Sequence, residues 1–130
     1  MHRLWLVGCL VVAVAGGPGC FGDGGGDSAS GFTPVHEGVC AALEAARSGD
    51  QAGAQRGFAD AHGGLHDLAA AVEEKDRAAT ARLLEAKQRV EAALRSPGSA
   101  PPAAELEALS GAVRGAIRAN RGEPPRSCST

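Results

Sequence analysis

Four stretches of this chain repeat small or apolar residues at alternating spacings of three and four, separated by helix-breaking clusters or by an aspartate able to cap the next helix. Such spacing returns side chains to one face of an α-helix. The first stretch carries Val35, Val39, Ala42 and Ala46, and the second carries Phe58, Ala61, Leu65, Leu68 and Val72. The third carries Ala79, Leu83, Ala86, Val90 and Ala93, and the fourth Leu106, Leu109 and Val113 with Ala116 or Ile117. Each stripe must be buried against another, because an amphipathic helix of this length is marginal alone in water.

The punctuation between stripes sets the connections. Thr33-Pro34 opens the first helix: the Thr33 hydroxyl is expected to accept from an early amide, and Pro34 sits where its missing N–H is harmless. Ser48-Gly49-Asp50 stops that helix, and Asp50 caps the second, which runs to about Glu74. Asp76 starts the third, Ser96 to Pro101 breaks the chain again, and Pro102 opens the fourth. Arg118 and Arg121 favour the C-terminal end of the fourth helix, and Gly122 to Thr130 is a Pro-containing tail. Short connections make successive helices antiparallel neighbours. The expected fold is therefore all-α, a small up-down antiparallel bundle of about four helices over residues 33–121. Glu85–Arg89, Lys87–Glu91 and Glu91–Arg95 stand at i,i+4 and are expected to dress the outer side of the third helix.

Such a bundle is thin on burial. The chain has 130 residues, aromatics are 3% of it, and Tyr is absent. Alanine favours helix but covers little area, so a domain of this size and composition calls for a covalent staple.

Before the bundle comes an address. Arg3 is followed by an apolar run, Leu4 to Ala15, interrupted only by Gly8 and Cys9. That length suits the core of an export signal and is short of the roughly 20 residues of a spanning helix. Gly16-Gly17-Pro18-Gly19-Cys20 follows, and then a polar run from Phe21 to Ser30. A cysteine just past the apolar run, preceded by small residues and followed by a soft polar spacer, resembles the bacterial lipoprotein pattern. The resemblance covers residues 1–31 only. It implies a signal segment over 1–19 that is cleaved, a lipid on Cys20 as the mature N-terminus, and a flexible Gly/Ser/Asp tether over 20–32. The family's usual aliphatic residue three before the cysteine is here Gly17, and Pro18 stands where Ala or Ser is usual. Leu6-Val7-Gly8-Cys9 fits the motif itself better, but its apolar run is too short and more apolar sequence follows. Ala13-Val14-Ala15 offers ordinary cleavage, which would give a secreted protein, and an uncleaved anchor is the third alternative.

Cysteine count connects address and staple. Of four cysteines, Cys9 leaves with the signal; if Cys20 carries the lipid that the resemblance implies, Cys40 and Cys128 remain as one possible pair, whereas ordinary secretion would leave Cys20 an odd thiol in an oxidising compartment. Eight residues separate Asn120 from Cys128, a reach of about 26 Å when extended. The tail over 122–130 can thus fold back along the first helix and bond Cys40.

Histidines supply the one constellation with chemistry. His62-Gly63-Gly64-Leu65-His66 places two imidazoles at i,i+4, on one side of a helix, where they can share a metal. In a hairpin turning at Gly49-Asp50, His36 stands at nearly the height of His62, so it is expected to complete a site for Cu or Zn with Glu37 or Asp67 nearby. The bland alternative is solvated helix surface, with Asp60 and Asp67 as ordinary exposed acids. Gly63-Gly64 would weaken or kink the helix by about 2 kcal/mol of lost propensity, or would admit a close neighbour. His36 and Cys40 are also i,i+4, and a reduced Cys40 would add a thiolate ligand.

Other chemistries lack their residues. With Arg3 removed, 12 Lys and Arg face 15 Asp and Glu, which is no footprint for nucleic acid. Gly63 stands where the glutamate of an HExxH motif would be, Gly24-Gly25-Gly26 lies in the tether, and no serine has a strand-to-helix elbow. The expected function is non-enzymatic: a membrane-tethered, extracytoplasmic interaction or accessory module with an envelope protein partner. The alternative is a Cu- or Zn-binding lipoprotein using His62, His66 and His36.

Overall fold

The computed structural model describes residues 30–130 apart from Pro97. The expected signal segment, Cys20 and most of the tether lie outside these residues. Within them are four α-helices and no strand: α1 over Thr33–Arg47, α2 over Gln51–Glu73, α3 over Arg77–Arg95 and α4 over Ala103–Ala119. They pack as a bundle in which α1 and α3 each lie against both α2 and α4.

Capping explains most boundaries. The Asp50 carboxylate accepts from the Gly53 amide at 2.8 Å, and Asp76 accepts from the Ala79 amide at 2.8 Å, so each aspartate satisfies an early N–H of its helix. Gly49, at φ 80°, ends α1 in the left-handed conformation glycine favours. At the end of α4 that role falls to Arg121 (φ 60°), with the Gly122 amide returning to Ile117 at 3.0 Å. The expected cap at Thr33 is not made. Thr33 is the first helical residue, Phe32 precedes it, and no side chain caps this end. A single 3-10 turn, Ser30–Phe32, leads in instead, and Phe32 packs half-buried against the core, so the soft spacer stops short of residue 32.

The apolar stripes of α1, α2 and α4 are all buried. Leu43, Leu65, Leu68, Leu83, Leu106, Leu109 and Ile117 fill the centre, with Val39, Val72, Val90 and Val113 between them. On α3 the pattern shifts. Ala86 and Ala93 are only half-buried, while Thr80 and Lys87 turn inward. Lys87 is thus a correction to the expected outer dressing. Its stem is buried and its ammonium reaches out to donate to Glu91 at 2.6 Å. Glu85–Arg89 forms on the surface as expected, whereas Glu91 engages Lys87 and His62 rather than forming an ion pair with Arg95.

Small residues let α1 and α2 approach closely. A Cβ on Gly57 would lie 2.7 Å from the Ala42 nitrogen, and one on Gly38 would lie 3.1 Å from the Ala61 Cβ. A Cβ on Gly64 would run into Val35. The pairs Val35–Gly64, Gly38–Ala61 and Ala42–Gly57 step in opposite directions along the two chains, which makes the hairpin antiparallel. α2 is one helix from Gln51 to Glu73, so Gly63-Gly64 does not end it; Gly64 admits the Val35 side chain, and Gly63 faces open space.

The tail closes the fold. Cys40 and Cys128 form a disulfide with Cα atoms 5.3 Å apart, across 88 residues of chain. Arg114 donates to the Pro125 carbonyl at 2.8 Å and Arg47 to the Ser129 carbonyl at 2.7 Å, so the returning strand of tail is held at three points.

Candidate functional site

The histidines of the bundle fall into two groups. Register explains the division. His36 and His62 do stand at similar heights, since Val35 meets Gly64 and Gly38 meets Ala61. Height alone does not bring side chains together. Val35 faces α2, and His36, about 100° further round α1, faces α4 instead. On α2, Ala61 faces α1, while His62 turns toward α3. The expected convergence of His36 with His62 and His66 is therefore absent.

His36 is buried, with 3% of its surface exposed. Its Nε2 lies 3.0 Å from the Ser110 hydroxyl on α4, and its Nδ1 lies 3.6 Å from the Cys40 sulfur. Ser110 Oγ in turn lies 3.2 Å from the Cys128 sulfur. The hydroxyl has one proton. When it donates to the sulfur, His36 Nε2–H donates to the hydroxyl; when it donates to His36, Nδ1–H is left to face the sulfur. Burial pushes the His36 pKa down, and the nearby Arg114 cation pushes the same way against the opposing pull of Glu37. His36 is thus held neutral, as a polar filler between the disulfide and α4. Donor atoms of His36, Cys40 and Cys128 all lie within 4.8 Å of one another. The expected Cys40–Cys128 disulfide is present, so the alternative of a reduced Cys40 as a thiolate ligand does not apply. The disulfide lines a surface cleft with Thr33, Glu37, Glu44 and Arg126.

The second group sits on the other side of α2. His62 Nε2 and His66 Nε2 are 3.2 Å apart, with ring centroids 4.9 Å apart. His66 is exposed and His62 half-buried. Phe58, one turn earlier, meets the His62 ring edge-on at 5.8 Å between centroids. His62 Nδ1 lies 3.6 Å from a Glu91 oxygen across the helix boundary. Lys87 fixes that carboxylate, and its hydrogen bond is the main reason the Glu91 pKa is lowered, despite the opposing effect of burial. Asp60 and Asp67, the acids nearest in sequence, are exposed.

Glu91 was not among the residues expected at the site. Counting outward from the Glu74–Asp76 turn, as was done from Gly49-Asp50, puts Lys87 to Glu91 level with His62, so the signal was present in the α2–α3 register. Among the described residues no helix is long and apolar enough to cross a membrane. Comparison with protein-family models, with curated proteins and with solved structures finds no match to this chain.

Proposed function

We propose that this is a membrane-tethered extracytoplasmic lipoprotein whose helical domain is a non-enzymatic interaction or accessory module of the cell envelope. The observation that carries the reading is the pairing of Cys40 with Cys128. Structural disulfides belong chiefly to oxidising compartments, which supports export of the chain. Pairing also uses both cysteines of the domain. Cys20 is then the one thiol left outside the segment that leaves on export, at the position where the lipoprotein pattern places the acyl chains.

The tail supports the same reading. A domain held some distance from a bilayer by a soft spacer gains stability from a staple that closes most of its length, worth roughly 4 kcal/mol for a loop of this order. Its helical faces then serve as contact area for a second envelope protein.

Production of the full chain in a bacterial host with labelled palmitate tests this. The expected result is label in the chain and recovery with membranes, both lost in Cys20→Ser. Recovery of an unlabelled chain in the soluble or culture fraction, unchanged by Cys20→Ser, contradicts it.

A further inference from the structure

The His62–His66 pair has geometry that neither a tether nor a contact surface requires. Two neutral imidazoles bring Nε2 to within 3.2 Å of Nε2 when a proton or another cation lies between them. Glu91 stands on the Nδ1 side of His62, 3.6 Å away. A carboxylate only accepts, so this placement favours the tautomer with the hydrogen on Nδ1 and the lone pair on Nε2, the nitrogen nearest His66.

That spacing suits a metal ion. With metal–nitrogen bonds of about 2.0–2.1 Å, nitrogens 3.2 Å apart subtend roughly 100–105° at the ion. The angle lies between octahedral and tetrahedral values, so either geometry is reached with small side-chain adjustment. The first ligand is also pre-set. Buried Phe58 meets the His62 ring edge-on, the Glu91 carboxylate stands 3.6 Å from its Nδ1, and buried Lys87 donates to Glu91. Carboxylate–imidazole–metal relays of this form orient the ring and raise its basicity. His66 is exposed, which leaves the remaining coordination positions open to water or to a donor from another molecule.

We propose that His62 Nε2 and His66 Nε2 chelate one borderline divalent cation, Cu(II) more tightly than Zn(II), with Glu91 as a positioning residue. Imidazole donors select these ions over Ca(II) and Mg(II), and Cu(II) leads the divalent affinity order. This goes beyond the tethered-module reading and does not depend on it. His36 takes no part, because it is buried against Ser110 on the opposite side of the hairpin.

The full chain, with its disulfide formed, is titrated with CuCl2 and separately with ZnCl2 by calorimetry. His62→Ala, His66→Ala, the double variant and Glu91→Gln are run beside it, and circular dichroism confirms that each metal-free variant keeps its helices. Wild type is expected to show a one-to-one Cu(II) event that each single alanine variant weakens at least tenfold and the double variant removes. Glu91→Gln keeps the stoichiometry and weakens binding about tenfold. Copper raises the unfolding midpoint of wild type and leaves that of the double variant unchanged. Equal Cu(II) binding by wild type and the double variant, or no stoichiometric event in wild type, overturns the site. Unchanged affinity in Glu91→Gln overturns the role given to that residue.

Discussion

His36–Cys40 and His62–His66 have the same i,i+4 spacing on neighbouring helices, yet one pair is built into the fold and the other stands at its surface. His36 is covered by α4 and by the returning tail, and its ring nitrogens face Ser110 and the disulfide. His62 and His66 meet each other, and His62 also meets Phe58 and stands beside Glu91. The spacing places both members of a pair on one side of a helix. What lies opposite that side decides whether they become structure or a site.

Breaking the staple should have the largest effect. Cys40→Ala/Cys128→Ala is expected to lose roughly 4 kcal/mol in denaturant unfolding, with wild type under reducing conditions behaving like the variant. A loss below about 1 kcal/mol would mean that the tail contributes little to the His36 region. Gly57→Ala comes next. Its new methyl group would lie 2.7 Å from the Ala42 nitrogen and 3.0 Å from the Ala42 Cβ, neither of which can rotate away, so a loss of about 1–3 kcal/mol is expected as α1 and α2 are forced apart.

Truncating the buried imidazole sharpens the contrast directly. His36→Ala leaves a cavity and strands Ser110, which should destabilise by about 1–3 kcal/mol, whereas His66→Ala on the exposed side should stay within about 0.5 kcal/mol of wild type. Equal effects would dissolve the distinction between the two groups.

The pH dependence follows from the same burial. The His36 pKa is lowered in the folded chain from 6.5, so below that value the unfolded chain binds the extra proton first. Its contribution is therefore complete above pH 6.5, falls as the pH drops through the window below 6.5, and levels off once the folded His36 is also protonated. Urea midpoints measured across pH 5 to 8 should show this acid-side loss in wild type and a shallower one in His36→Gln. The smallest effect is a gain. Gly63 is exposed, and a Cβ there meets nothing within 4 Å, so Gly63→Ala should stabilise α2 by about 0.5–1 kcal/mol. It should do so without disturbing the neighbouring imidazoles.

Much of the fold was legible because it rests on local chemistry. Asp50 and Asp76 cap the helices they precede, and the stripes Val35–Ala46, Phe58–Val72 and Leu106–Ile117 are buried as their periodicity implies. Cys40 and Cys128 pair, as the reach of the tail from Asn120 allows. Rotation between helices was not legible. The hairpin count set the height of His36 correctly, but which way each helix turns about its axis depends on how closely the backbones approach. That approach is set by Gly38, Gly57 and Gly64 against Ala61, Ala42 and Val35, contacts that no periodicity reports. Lys87 is missed for a related reason: a charge pattern marks it as surface, while its long stem lets it cross core and still reach Glu91. Of the three imidazoles expected together, two lie side by side, with an acid from α3 beside them in place of those nearest in sequence.

We propose an oxidised helical domain that hangs from a lipid at Cys20. Intact-mass and non-reducing peptide mass spectrometry of the chain, expressed at full length and purified from bacterial membranes, tests it most directly. The account predicts a mature chain that begins at Cys20, carries the added mass of acyl groups on that residue, and yields a single disulfide-linked peptide pair joining Cys40 to Cys128. An unmodified Cys20, whether in a chain retaining residue 1 or in one cleaved after Ala15, would contradict it.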